Sequence, residues 1–206
     1  ISLAAYQASI GRGNVDEVIT LSEQLKAPIE LKEVEYVTDD INDLLDSTVR
    51  TPGLRWRLNS LNRSLGSLRK GDFGFIFARP ETGKTTFLAD QVTFMAGQLM
   101  DEDGPILWFN NEEQGKKVKL RCYQAALQAT LPRLLAEPAK ASELYRQRTK
   151  GKIKIYDSAS IHRRQVEELC EKEKPSLVLF DQLDKVKGFS NDREDLVMGS
   201  IYQWAR

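Results

Sequence analysis

The most chemically suggestive run in the chain is Gly83-Lys84-Thr85-Thr86. It closes the longer segment Ala78-Arg79-Pro80-Glu81-Thr82-Gly83-Lys84-Thr85-Thr86, which lies between an apolar stretch and an amphipathic one. A glycine-bearing loop that opens a helix turns backbone N–H groups toward an anion, and the helix dipole adds positive potential at the same place. In such a loop Gly83 lets the backbone approach a phosphate closely. Lys84 would bridge the β- and γ-phosphates of a nucleoside triphosphate, and the Thr85 hydroxyl would ligate Mg2+. Ala78 stands where the general pattern has its first glycine, so the bare match is imperfect. ATP and Mg2+ are the expected ligands.

Hydrolysis asks for two further groups, a carboxylate for the metal and a base for the attacking water. In Leu177-Val178-Leu179-Phe180-Asp181, four apolar residues read as a buried strand that delivers a carboxylate at its C-terminal end. That end faces the ligand crevice in a parallel sheet, so Asp181 is expected to hold Mg2+. Asp184, on the following turn, is a further carboxylate that could approach the metal. The second acid should sit at the tip of a neighbouring strand. Ile106-Leu107-Trp108-Phe109 ends in Asn110-Asn111-Glu112-Glu113, and either glutamate could reach the water. The glutamate not so used is expected to cap the helix that follows.

These residues need elements to hold them. Phe73–Ala78 reads as a first strand. Leu88, Val92, Met95 and Leu99 recur at helical spacing after the loop. A charged helical region runs from about Lys116 to Arg148, broken at Pro132 and Pro138, and is followed by a strand at Ile153–Tyr156 and a helix at Arg163–Lys172. Strands alternating with helices imply an α/β fold in which a parallel sheet is covered on both faces.

Residues 1–50 differ in character. They hold four Lys/Arg against ten Asp/Glu, while the whole chain is neutral, so residues 51–206 are correspondingly basic. Asn14 can cap a helix bearing Val15, Val18, Ile19, Ser22 and Leu25, beyond the break at Gly11-Arg12-Gly13. A second acidic helix is expected from about Asp39 to Val49, ended by Thr51-Pro52-Gly53. Two domains follow from this, a helical linker or oligomerisation segment (1–50) and the ATPase domain (51–206). With one histidine, a His-centred triad is excluded in practice, and two separated cysteines suit neither a zinc site nor a disulfide framework. No apolar run approaches the roughly 18 residues of a membrane span, and a cytoplasmic protein is expected.

Taken together, these motifs resemble the DnaB-type, RecA-like hexameric replicative DNA helicases, a family with phage members. The family's phosphate loop also begins Ala-Arg-Pro, as Ala78-Arg79-Pro80 does here. Leu61-Asn62, Leu65-Gly66-Ser67-Leu68 and Lys70-Gly71-Asp72 resemble its lead-in to the first core strand. Glu112 falls where the family has its catalytic glutamate, and Phe180-Asp181-Gln182-Leu183-Asp184 falls on its Ile-Asp-Tyr-Leu-Gln. The resemblance runs from about Gly53 to Arg206 and is only positional over 1–50, where the family has a linker helix that packs on an adjacent subunit.

This resemblance implies a RecA-like ATPase core that moves along single-stranded DNA during replication as a ring hexamer, with a primase or loader as a further partner. It makes Glu112 and Lys84 the catalytic pair. Lys185, Lys187 and Arg193, around Gly188-Phe189-Ser190-Asn191, fall in a loop suited to DNA phosphates. The basic runs at 116–121 and 146–154 read instead as solvated faces. The family's sensor glutamine and arginine finger would lie beyond Arg206, so the stretch given is expected to bind ATP yet hydrolyse it poorly. The alternative readings are a RecA- or KaiC-like recombinase-type ATPase and a non-motor helicase loader or regulator.

Overall fold

A computed structural model describes residues 2–26, 38–46, 53–79, 81–157, 160–189 and 194–206. Three short strands, β1 (Ile106–Asn110), β2 (Ile153–Asp157) and β3 (Leu177–Asp181), pair in parallel in the order β2-β1-β3. The register aligns Asn110 with Asp157 on one side and with Asp181 on the other, so the three polar strand ends form a row along the carboxyl edge. Every residue of the central strand is buried, as expected of a strand covered on both faces.

Alternation along β1 sorts the two cores. Ile106 and Trp108 face helices α5 (Lys84–Ala96), α6 (Gly115–Leu127) and α8 (Pro138–Thr149). There they join Leu88, Val92, Met95, Val118, Cys122 and Tyr145 in the larger cluster. Leu107 and Phe109 face the other way, toward Val166 on α9 (Arg163–Glu173) and Trp204 on α10 (Glu194–Ala205). Phe109 is sandwiched between Tyr156 and Phe180, with ring centroids 5.3 and 5.2 Å away. In α6 the i, i+4, i+8 set Val118, Cys122 and Ala126 is the buried stripe, and burial pushes the Cys122 thiol up to about 12. A short helix, α7 (Leu131–Ala136), links α6 to α8 and starts at the Pro132 break, as Pro138 starts α8.

The expected first strand is a correction. Residues 72–79 run beside the phosphate loop without entering the ladder, and the side chains of Phe73, Phe75, Ile76 and Phe77 are 40–86% exposed. The apolar run was read as a buried strand, but an extended segment is stabilised as one only by partner hydrogen bonds. Here Phe75 packs on Phe73, Phe77 and Tyr202 instead. Leu99 is a smaller correction: α5 ends at Ala96, and Leu99 is buried in the turn beyond it.

Ahead of the core, α1 (Ser2–Ser9) and α2 (Val15–Lys26) form a helical pair, and the Asn14 side chain accepts from the Asp16 N–H at the start of α2. Glu23 joins α2 to this chain's own α9 through Arg163 and Arg164, with Arg164 Nε donating to it at 2.6 Å. Burial opposes ionisation of Glu23, yet the two guanidiniums hold its carboxyl below the usual range. A third helix, α3 (Ile41–Leu45), is capped by Asp40; the rest of the expected second acidic helix, 47–50, lies outside the described residues. The lead-in forms α4 (Asn59–Leu65), and Leu54 bridges Leu68. No described helix is long and apolar enough to cross a membrane.

Leu107→Ala removes a fully buried side chain from the central strand. The expected cost is about 2–5 kcal/mol, read as a lower midpoint in chemical denaturation at unchanged slope.

Candidate active site

The side-chain alternation that builds the core also aims the acids. Leu177 and Leu179 pack into the cluster on the α5 side, and Asp181, two residues on, shares their face. Its carboxylate is 1% exposed and meets the start of α5. Lys84 Nζ lies 2.9 Å from Asp181 Oδ1, and Thr85 Oγ1 donates to Asp181 Oδ2 at 3.1 Å. Lys84 also donates to Glu112 Oε2 at 2.8 Å. The loop turns into α5 at Gly83, whose φ of 92° suits a residue without Cβ; Glu81 takes a left-handed conformation as well. Thr82 steadies the turn by donating its hydroxyl to the Arg79 carbonyl at 2.6 Å.

The charges reinforce one another. Burial works against the Lys84 ammonium, but its bonds to Glu112 and Asp181 outweigh that and raise its pKa. The bond from Lys84 is the main reason the Glu112 carboxyl is held below the usual carboxylate range, against the opposing effect of burial. Lys185 contributes the smallest part of that lowering; its ammonium donates to the Asn111 carbonyl at 3.4 Å.

Glu112 and Glu113, adjacent in sequence, are directed to different partners. Glu113 accepts from Arg121 Nη2 at 3.2 Å, and Arg121 Nη1 donates to Thr86 Oγ1 at 3.0 Å. The expectation that the unused glutamate caps α6 is therefore corrected. The first α6 amide, Gly115 N–H, donates to Asp157 at 2.9 Å, because Asp157 ends the neighbouring strand on the α6 side. Asn111 ties the tip to β3 by donating to the backbone carbonyls of Asp181 and Gln182, each at 3.3 Å. Asp184 is exposed on a 3-10 turn at Leu183–Lys185.

Of the loop residues singled out from the sequence, Ala78, Arg79, Glu81, Thr82, Gly83 and Thr86 are exposed around this cluster, and Pro80 lies outside the described residues. Lys185 and Lys187 are both exposed, but they do not share one free loop. Lys185 sits on the 3-10 turn beside the acids, and the Lys187 backbone bridges to His162. Arg193 lies outside the described residues. Phe189 is half-buried, with its ring against Trp204 and Arg163 stacked over it at 5.4 Å, so it is not presented to a base. Several members of the basic run at 146–154 are held locally. Arg148 donates to Ala126, Lys150 to Leu99 and Lys152 to Asp101 and Asp103, while Lys154 pairs with Glu173. Arg121 and Asp157 went unread in the sequence, since neither belongs to a motif whose spacing marks it.

A lysine at a helix start, held between two carboxylates at the carboxyl edge of a parallel sheet, is the arrangement of a nucleotide-hydrolysing fold. The family profile described as the AAA domain matches residues 37–206. The chain belongs to the AAA domain family. Among solved structures, its fold matches that of an ATPase domain solved on its own, with a TM-score of 0.61 at 19% identity, over 93% of this chain and 65% of that one. It also matches a DnaB-like replicative helicase, solved in a study of its interactions with primase, with a TM-score of 0.62 at 17% identity over 92% and 49% of the two chains. The AAA domain described here thus has the RecA-like fold of DnaB-type helicase ATPase domains, and it spans less than two thirds of either structure's length. No curated protein matches in sequence.

Because the folded-state pKa of Glu112 is lowered, its pair with Lys84 stabilises the fold above the ordinary carboxylate range. That contribution is lost as pH falls through the lowered value. Stability measured against pH should therefore drop less steeply in acid for Glu112→Gln than for the parent; equal acid slopes would show that the pair adds nothing.

Proposed function

We propose that this AAA domain is the ATPase of a DnaB-type replicative helicase that moves along single-stranded DNA. The convergence of Lys84, Thr85, Asp181 and Glu112 within hydrogen-bonding distance of one another supports the reading most directly. The likeness in fold to the solved ATPase domain and to the DnaB-like helicase supports it at the level of architecture.

In this reading the amides of residues 78–86 and the start of α5 receive the triphosphate, and Lys84 leaves its two carboxylates to bridge the β- and γ-phosphates. The donor set at the end of β3, a buried carboxylate beside a threonine hydroxyl, fits a hard divalent cation. Thr85 and Asp181 would hold Mg2+, whose charge neutralises the β- and γ-oxygens during transfer. Glu112, freed from Lys84, accepts a proton from the attacking water. The water oxygen then forms its bond to the γ-phosphorus, and the bond from that phosphorus to the β,γ-bridging oxygen breaks. ADP and phosphate leave.

Residues 51–206 would form the ATPase domain, and 1–50 a linker segment that also serves assembly into a ring hexamer. Lys185, Lys187 and Arg193 are the proposed contacts to DNA phosphates. A primase or loader is proposed as a partner, by analogy with the DnaB-like helicase studied with primase.

Two outcomes test the chemistry and one the DNA. Lys84→Ala should abolish measurable affinity for a fluorescent ATP analogue, whereas Glu112→Gln should keep that affinity and lower turnover roughly a hundredfold or more. Normal hydrolysis by Glu112→Gln would remove the glutamate from its assigned role. Lys187→Ala should weaken single-strand binding uniformly across sequences and reduce the salt slope by about one. An unchanged slope would take Lys187 off the DNA path.

A further inference from the structure

The loop bearing Glu112 and the helix bearing Lys84 come from distant parts of the chain, and what fixes one against the other decides whether the acid meets its water. Among the described residues, two hydrogen-bonded ties cross that gap. One is direct, from Lys84 to Glu112. The other runs through Arg121, whose two terminal nitrogens separately reach Thr86 on α5 and Glu113 at the tip of β1. The first tie is lost when Lys84 turns to phosphates, as nucleotide binding in the proposed function requires. The second uses no group that a triphosphate needs from Lys84 or Asp181.

We propose that Arg121 is a positioning residue. It clamps the Glu112–Glu113 tip onto the third residue of α5, so that Glu112 stays over the phosphate loop after Lys84 has let go. The inference rests on the assignment of Glu112 as the base.

The local structure suits the task. Arg121 stands one residue before Cys122 in the buried stripe of α6, so its backbone is fixed by the packing of Val118 and Cys122 against α5. The guanidinium is a rigid planar fork, and each arm finds a separate acceptor here, which a single ammonium could not match in the same geometry. Glu113 then works by direction. With its side chain drawn to Arg121 and its backbone carbonyl accepting from Asn110 Nδ2, the preceding residue is left facing Lys84. Asn111 and Gly115 anchor the same loop to β3 and β2, but neither ties it to α5.

Steady-state ATP turnover and fluorescent-nucleotide affinity of the full chain with single-stranded DNA test this. Arg121→Ala should lower kcat roughly tenfold, as a small misplacement of a reacting group does, with nucleotide affinity changed by less than about twofold. Arg121→Lys should recover part of the loss, since an ammonium can satisfy one acceptor at a time. In a Glu112→Gln background, Arg121→Ala should lower the residual turnover no further, because its effect passes through Glu112. An equal loss in that background overturns the proposal, as does weaker nucleotide binding at unchanged kcat, which would make Arg121 a contact to the nucleotide. Should Arg121→Ala fail to fold, Glu113→Gln cuts the same tie with nearly the same shape, and an unchanged kcat there is equally fatal. Normal turnover by Glu112→Gln alone would sink the base assignment and the clamp together. An inactive Glu112→Gln with kcat indifferent to Arg121 would sink the clamp only.

Discussion

A carboxylate buried beneath an ammonium organises this molecule. Asp181 is almost wholly removed from water, and a charge so placed is costly unless it is paired and hydrogen-bonded. Lys84 and Thr85 supply both requirements from the first two residues of α5. That single demand fixes the end of β3 against the start of a helix nearly a hundred residues earlier in the chain. The apolar seam between α5, α6 and the sheet then holds the two in place.

The remainder of the cluster follows from strand order. Since β1 lies between β2 and β3, the tip beyond Asn110 has Asp181 on one side and Asp157 on the other. The two acids divide the work: Asp181 receives Lys84, and Asp157 receives the first amide of α6. Glu112 is left to share Lys84 with Asp181, which lowers its own pKa and raises that of the lysine. A lysine bound to two carboxylates is a stored cation, and an incoming polyphosphate competes with both for it.

Much of this was legible in the sequence because it depends on local rules. Period-two alternation placed Asp181 at a strand end, and the Gly-Lys-Thr run placed Lys84 and Thr85 at a helix start. The breaks at Pro132 and Pro138 marked the helix boundaries between Lys116 and Arg148. Contacts between distant residues were not legible. Nothing in the spacing of Arg121, Glu113 and Thr86 says that they meet, and Asp157 takes the capping role expected of a glutamate only because its strand neighbours β1. The Phe73–Phe77 run misled for the opposite reason. Composition shows that a segment could be buried in a sheet, whereas pairing depends on which edges are available to it. Lys185 also changed meaning, from a loop cation to one that bonds the strand tip beside the acids.

The three-ring sandwich of Tyr156, Phe109 and Phe180 stands one residue before the polar ends of its strands. Side chains alternate faces along a strand, so sliding β3 by one step would exchange the two residues at its end. Phe180 would then be pressed toward the ammonium, and Asp181 would be driven into an oily layer with no counterion. The interlocked rings act as a detent against that slip: they keep a chemical assignment correct although none of them takes part in the chemistry.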